Sequence, residues 1–138
     1  MPKIKISSLD RIFSFYIRCR DRWRCQRCGI RYEPPTMSLH CSHFMGRAKK
    51  STRFDPENCQ ALCYGCHSFL TAHPHEHHRF VLAKLGEKRY HALVLRSNIG
   101  GKPDYELIKI WTKRALGKLP LNAHELALAK KNRFLDNA

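Results

Sequence analysis

Two Cys-x-x-Cys pairs are the residues of this chain best suited to chemistry. The first pair is Cys25 and Cys28, and the second pair is Cys63 and Cys66. Four thiolates form a closed tetrahedral site for Zn2+, because soft sulfur ligands favour this ion over Mg2+ or Ca2+. Two pairs at metal-ligand spacing in one chain therefore predict a structural zinc, and no disulfides are expected.

The segment between the two pairs is longer than in a simple zinc ribbon, where roughly 15 to 20 residues separate the pairs. Between Cys28 and Cys63 there is room for further elements. We predict a strand at 39–44, then a basic loop, and a second short strand after Asn58. Residues 64–71 predict a helix. The expected arrangement is a hairpin followed by a helix, with one metal holding both ends of the segment.

Three residues of this segment resemble the motif of the HNH endonuclease family. His43 matches the first histidine, Asn58 matches the asparagine, and His67, next to Cys66, matches the second histidine. A wider stretch, about residues 8–95, also resembles the phage recombination-protein branch of the family called NinG. The stretches that carry this second resemblance are 9–18, 25–29, 42–44 and 52–55.

The resemblance implies an α+β fold. Its core would be a ββα-metal (HNH, treble-clef-like) unit that is stapled by a zinc ion bound to the four cysteines and flanked by N- and C-terminal helices. We expect residues 1–98 to contain an N-terminal helix, the zinc-bound nuclease core and supporting helices. Residues 99–138 are expected to form a C-terminal helical extension packed on the same single domain, since 138 residues suit one domain.

Helices around this core follow from apolar periodicity and caps. An apolar stripe between Leu9 and Ile17, preceded by Ser7 and Asp10 at capping-box spacing, predicts the N-terminal helix. Further helices are predicted at 74–85, 87–96, 104–116 and 122–134.

The resemblance also implies roles for the three motif residues in hydrolysis of phosphodiester bonds. This reaction needs a base for water and a cation that stabilises the developing charge. His43 would be the general base, because imidazole titrates near neutrality. Asn58 would accept a hydrogen bond from His43 or bind the metal, and His67 would be a ligand of the catalytic metal. One Mg2+ or Mn2+ that keeps several waters fits such a site.

Ser42 departs from the family pattern, which places Asp or His immediately before the catalytic histidine as a metal ligand. The first protein ligand is therefore open. Cys41, His73 or a water held by Ser42 are the alternatives. The NinG branch commonly carries Asn at the position of His67, and histidine is the better ligand of the two.

The charge of the chain favours a polyanionic partner. The sequence has 26 Lys and Arg against 11 Asp and Glu, a formal net charge of +15. Such a field attracts nucleic acid, although a basic surface can also serve solubility alone. Four basic residues between the first histidine and the asparagine are predicted to contact DNA phosphates: Arg47, Lys49, Lys50 and Arg53.

These features together predict a metal-dependent DNA endonuclease. The resemblance implies a phage-encoded protein of the host cytoplasm that acts on recombination or replication intermediates, or nicks duplex DNA. Its DNA partner would be branched, single-stranded or duplex, a homodimer is open, and no membrane partner is expected. Alternatives are a zinc-stabilised DNA-binding module without cleavage and a terminase-associated HNH nuclease in phage DNA packaging.

Overall fold

A small antiparallel sheet and the helices around it make up the computed structural model, which describes residues 4–136. The α+β fold class is confirmed. The strands are β1 (Leu39–His43) and β2 (Cys59–Cys63), and a 3-10 turn, Pro56–Asn58, precedes β2. The helices are α1 (Ser8–Arg20), α2 (Tyr64–Ala72), α3 (Pro74–Leu85), α4 (Glu87–Ser97), α5 (Tyr105–Gly117) and α6 (Ala123–Lys131). In the described range 4–136, each helix is too short or too polar to span a bilayer.

The helix bounds follow the predictions closely, with one difference at the end of α6. The prediction extended this helix to residue 134, whereas it ends at Lys131. The reason is local: Arg133 has a φ of 59°, which is left-handed and ends the helical path. Pro74 at the first position of α3 fits its predicted start.

Helix α1 is fixed at its start by a capping box and along its length by apolar burial. The Ser7 side chain accepts from the Asp10 N–H, and the Asp10 carboxylate accepts from the Ser7 N–H. Ile12, Phe13 and Ile17 are buried, and α1 packs against both strands of the hairpin. Burial of this stripe removes large apolar side chains from water and holds the helix against the sheet.

The register of the hairpin decides which helix each strand residue meets. Leu39 lies opposite Cys63, and His43 lies opposite Cys59. Side chains alternate between the two faces of a strand, so His43 and His40 point to opposite sides. The His43 ring lies 6.3 Å from Phe13 of α1, measured between ring centroids, whereas His40 contacts α2. One face of β1 therefore meets α1 and the other meets α2.

The C-terminal helices pack on the same core as α1. Tyr16 and Trp111 of α5 have ring centroids 5.7 Å apart, and Phe15 and Phe134 have centroids 5.3 Å apart. The Trp23 indole donates a buried hydrogen bond of 3.1 Å to a Glu125 carboxylate oxygen in α6. These contacts bury the apolar side of α1 that the hairpin leaves uncovered.

Asp10 joins α1 to the loop between the strands. Its carboxylate accepts two hydrogen bonds from the Arg53 guanidinium, at 3.0 and 2.7 Å, and Asp10 is 5% exposed. Burial alone would raise the pKa of Asp10, but the hydrogen bonds from Arg53 and Ser7 outweigh it, and the pKa is lowered from its ordinary value. The charged carboxylate therefore stabilises the fold.

We expect Asp10→Asn to lower the free energy of unfolding by about 2 kcal/mol at pH 7, because it leaves Arg53 without its buried counter-charge. Urea unfolding followed by circular dichroism measures this. Glu76→Gln, which removes an exposed carboxylate 3.5 Å from Arg79, is the control and should change stability by less than about 0.5 kcal/mol. Since the folded pKa of Asp10 is lowered, the wild type should lose its advantage as pH falls through that pKa. Equal stability of the two variants at pH 7 would contradict this role.

Candidate functional site

The four thiols of the two Cys-x-x-Cys pairs converge, so the predicted cluster is confirmed. The Sγ atoms of Cys25, Cys28, Cys63 and Cys66 all lie within 4.8 Å of one another. Those of Cys28 and Cys63 are 3.8 Å apart. Thiolates bound at about 2.3 Å to a tetrahedral Zn2+ are separated by about 3.8 Å. The donor set and its spacing thus fit a structural zinc.

Backbone and side-chain donors surround these sulfurs. The Cys28 and Cys66 N–H groups donate to the Sγ atoms of Cys25 and Cys63, and the Arg27 guanidinium donates to Cys66 at 3.5 Å. Burial would raise the pKa of Cys25, but backbone N–H groups outweigh it and lower the pKa to about 7. Burial raises the pKa of Cys66 to about 12 despite Arg27. Metal binding at this cluster must therefore release protons.

His43 lies at the last position of β1, with its ring against α1. Its Nε2 lies 2.8 Å from the Arg53 carbonyl oxygen, which can only accept, so Nε2 carries the proton and Nδ1 carries the lone pair. Within residues 4–136, Nδ1 is buried and has no hydrogen-bond partner. Burial, followed by the charge of Arg47, lowers the pKa of His43 to about 4. The ring is therefore neutral at pH 7.

Asn58 is buried and braces the loop after β1. Its side-chain carbonyl accepts from the Met45 N–H at 2.8 Å, and its amide donates to the carbonyls of Met45 and Thr52. The predicted hydrogen bond between Asn58 and His43 is wrong, because the Arg53 carbonyl takes that place. Asn58 uses both of its amide N–H donors and one acceptor site on backbone groups of residues 45–52, and it fixes the path of that loop.

His67 lies in the first turn of α2, directly after the thiol cluster, on the opposite face of the hairpin from the His43 ring. Its Nδ1 lies 2.9 Å from Nδ1 of His40. Burial comes first among the causes that lower the pKa of His67, followed by the charges of His40 and Arg47. The structure thus brings His67 together with His40, which lies outside the predicted site.

Cys41 and His73, the two residues that are alternatives for the open metal-ligand position, lie away from His67. Cys41 shares the α1-facing side of β1 with His43, and a second group of potential ligand atoms within 4.8 Å consists of Cys41, His43 and Cys59. His73 is exposed at the end of α2, where its Nδ1 lies 2.7 Å from the Phe69 carbonyl oxygen. Across the described chain, His73 belongs to neither group of candidate ligands.

The four residues predicted to contact DNA differ in how far other protein groups already bind their side chains. Arg53 is held by Asp10, and Lys49 lies 3.5 Å from the Asn98 side chain at the surface. Lys50 is exposed. Arg47 lies only 3.9 Å from Asp10, and its charge lowers the pKa of both His43 and His67. Arg47 therefore lies within electrostatic range of both predicted site histidines.

Unsatisfied polar atoms concentrate around this end of the hairpin. Among residues 4–136, five buried side-chain atoms have no hydrogen-bond partner in the protein. Buried polar atoms in folded proteins normally have a partner, and a bound water, a bound ion or a catalytic role can explain those that lack one in the protein. They are Ser42 Oγ, His43 Nδ1, Arg47 Nε, Gln60 Oε1 and His77 Nε2.

Comparison with known proteins agrees with this location. Residues 25–72 match the family model described as HNH endonuclease. That segment contains the thiol cluster, both strands and α2, and its similarity to the HNH model supports a nuclease or nucleic-acid-binding function in general. No curated protein and no solved structure matches the chain. The narrower resemblance to the NinG branch stays a prediction.

His40 could have been found from the sequence. It lies two residues before Ser42 in β1, and strand periodicity puts these two residues on the same face. The resemblance implies a metal ligand at the position of Ser42, so the nearest histidine on the same face is an alternative ligand. Cys41, one of the three alternatives for this ligand, lies on the other face of β1 by the same alternation.

We expect Cys63→Ser to lose zinc and unfold, because apparent zinc binding energies on the order of 10 kcal/mol in small metal-folded units are part of their folding free energy. Native mass spectrometry measures the zinc content and circular dichroism the helix content. Cys19→Ser, at a buried thiol outside the cluster, is the matched control and should keep one zinc. A folded, fully loaded Cys63→Ser protein would exclude this role.

His43 should stay neutral from pH 7 to about pH 5 with its proton on Nε2. Long-range 1H–15N spectra of histidine-labelled protein report both the tautomer and the titration. An unfolded histidine takes up a proton near pH 6.5. Because the folded pKa is about 4, the protein should lose stability as pH falls from about 6.5 to about 4. A titration midpoint of His43 near 6.5 would show that the ring is not buried in this way.

Proposed function

We propose that this protein is a metal-dependent DNA endonuclease in which His43 is the general base and His67 binds one catalytic divalent metal. The match of residues 25–72 to the HNH endonuclease model carries the proposal. The formal net charge of +15 supports a polyanionic substrate. In this proposal the thiol cluster holds zinc and organises the fold, and it takes no part in the reaction.

The hydrogen bond from His43 to the Arg53 carbonyl supports the role of His43. A general base must be neutral and must direct a lone pair at the proton that it removes. The carbonyl holds the ring in one tautomer, which leaves Nδ1 as the basic nitrogen. Because Nδ1 is buried, water would reach it only when the loop of residues 44–53 shifts as DNA binds.

Arg47 would link DNA binding to the basicity of His43. A base with a pKa of about 4 is weak at neutral pH, and the Arg47 charge is one cause of that low value. A DNA phosphate bound at Arg47 would offset this charge and raise the pKa of His43. Asn58 would act by holding the loop that carries Arg47. Lys49 and Lys50 would contact neighbouring phosphates, and Arg53 would hold the loop in place through Asp10.

The bound metal would stabilise the charge that develops on the phosphate and the leaving oxygen. His67 is the residue that we propose as a ligand of this metal.

The resemblance of residues 8–95 to the NinG branch supports phage recombination or replication intermediates as substrates, in the host cytoplasm. Duplex nicking and a role beside a packaging terminase are narrower variants of the same activity, and a homodimer would suit a substrate with two strands to cut.

A second candidate is a zinc-stabilised DNA-binding module that does not cleave. Two observations favour it. Ser42 stands at the position where the family has an acidic or histidine ligand. The rings of His43 and His67 also lie on opposite faces of the hairpin. Cleavage would then require the loop after β1 to rearrange on DNA.

We expect the wild type to nick supercoiled plasmid and to cut a synthetic branched duplex in Mn2+ or Mg2+ and to be inactive in EDTA. His43→Ala should lower the rate by about 100-fold or more, because it removes the base. His75→Ala, at an exposed histidine of α3, is the matched control and should leave the rate unchanged. Zinc content and circular dichroism should be equal in all three proteins. Salt-sensitive DNA binding without cleavage in either metal would instead support the binding module.

A further inference from the structure

The contact between His40 and His67 joins one motif residue, His67, to a histidine that the motif does not include. We propose that His40 and His67 together bind the divalent metal, and that their nitrogen donors select Mn2+ or a later transition ion over Mg2+. The proposal rests on the proposed function only in taking this metal to be the catalytic one. In this proposal His40 takes the place of the ligand that is missing at Ser42, because His40 and Ser42 lie on the same face of β1.

The second ring nitrogen of His40 supports a ligand role. His40 Nε2 lies 3.0 Å from the Met37 carbonyl oxygen, which must accept, so Nε2 carries the proton. The lone pair is then on Nδ1, the atom that faces His67 at 2.9 Å. Histidines that bind metals commonly donate their other N–H to a backbone carbonyl, which fixes the ring orientation and raises its basicity.

The separation of the two nitrogens fits a shared ion. Two donors at roughly 2.1 Å in adjacent octahedral positions are about 3.0 Å apart. A direct N–H to N hydrogen bond would have the same length, so the distance alone does not choose between them. The surrounding polar atoms favour the metal.

Two unsatisfied buried atoms lie on the face of the hairpin that carries His40. Ser42 is fully buried and Gln60, directly opposite it in the register, is 4% exposed. Within the described residues, Ser42 Oγ and Gln60 Oε1 lack hydrogen-bond partners. His77 Nε2 is a third such atom, and its ring packs against Phe44, the residue that follows β1, with 5.0 Å between ring centroids. A hydrated ion between the histidines would supply water to these atoms, whereas a simple histidine pair would not.

Donor chemistry then decides the metal. Imidazole nitrogen suits zinc, copper, iron and nickel, whereas Mg2+ prefers carboxylate, carbonyl and water oxygen. The affinity of nitrogen sites rises from Mn2+ through the later divalent ions. A two-histidine site without a carboxylate would therefore bind Mn2+ in preference to Mg2+.

Binding of Mn2+ to zinc-loaded protein tests the proposal without relying on activity. Electron paramagnetic resonance of free Mn2+ gives the bound fraction. The wild type should bind one Mn2+ that a hundredfold excess of Mg2+ does not displace. His40→Ala and His67→Ala should each weaken binding by roughly tenfold or more, and His75→Ala should bind like the wild type. Zinc content and circular dichroism verify that each variant is folded.

His40→Asp provides a second variant, since it replaces the nitrogen donor with a carboxylate and keeps a ligand. It should retain Mn2+ but allow Mg2+ to compete. If the wild type binds no Mn2+, or if His40→Ala binds as tightly as the wild type, the pair is only a hydrogen bond and the proposal fails. If His40→Asp still prefers Mn2+ over Mg2+ as the wild type does, the nitrogen donor of His40 does not set the metal preference.

The two proposals can fail separately. Mn2+ binding through both histidines with intact DNA would keep this site and defeat the nuclease. Cleavage by His40→Ala with unchanged Mn2+ affinity would keep the nuclease and defeat this site.

Discussion

The convergence of four thiols at the junction of β2 and α2 is the constraint on which the rest of the domain depends. Cys63 is the last residue of β2, the N-cap of α2 and a member of the cluster. Its Sγ accepts from the Cys66 N–H at the start of the helix, and its backbone pairs with Leu39 of β1. One residue thus fixes the end of a strand, the beginning of a helix and the register of the hairpin. A shift of the backbone at Cys63 would therefore displace all the candidate site residues together.

Much of the fold could be predicted because the sequence patterns that indicate its elements involve residues close together in the chain. Cysteine spacing indicates the cluster, the pair Ser7 and Asp10 indicates where α1 begins, and Pro74 indicates the start of α3. The candidate site was harder because its geometry is not local. Alternation predicts that His40 and His43 point apart, but not which helix covers each face, and that depends on tertiary packing. The backbone partners of Asn58 also lie outside any sequence pattern, since they follow from the path of the loop.

Electrostatics at this end of the hairpin suits a site completed by an anion. Arg47 lies within range of two histidines whose pKa values are lowered, and Arg53 is already neutralised by Asp10. Burying neutral imidazoles beside a partly unpaired arginine is a poor arrangement for stability alone. A negative charge placed beside Arg47 would offset this cost.

Several arginine side chains are hydrogen-bonded within the fold, and this affects how strongly salt would weaken nucleic-acid binding. Arg20 donates to the carbonyls of Pro56 and Cys59, and Arg18 donates to that of Thr36. Together with Arg53, these guanidinium groups are bound within the fold. The number of counterions that a nucleic acid releases on binding follows the phosphates contacted and not the formal charge. The logarithm of affinity should therefore fall with the logarithm of salt concentration less steeply than a net charge of +15 suggests.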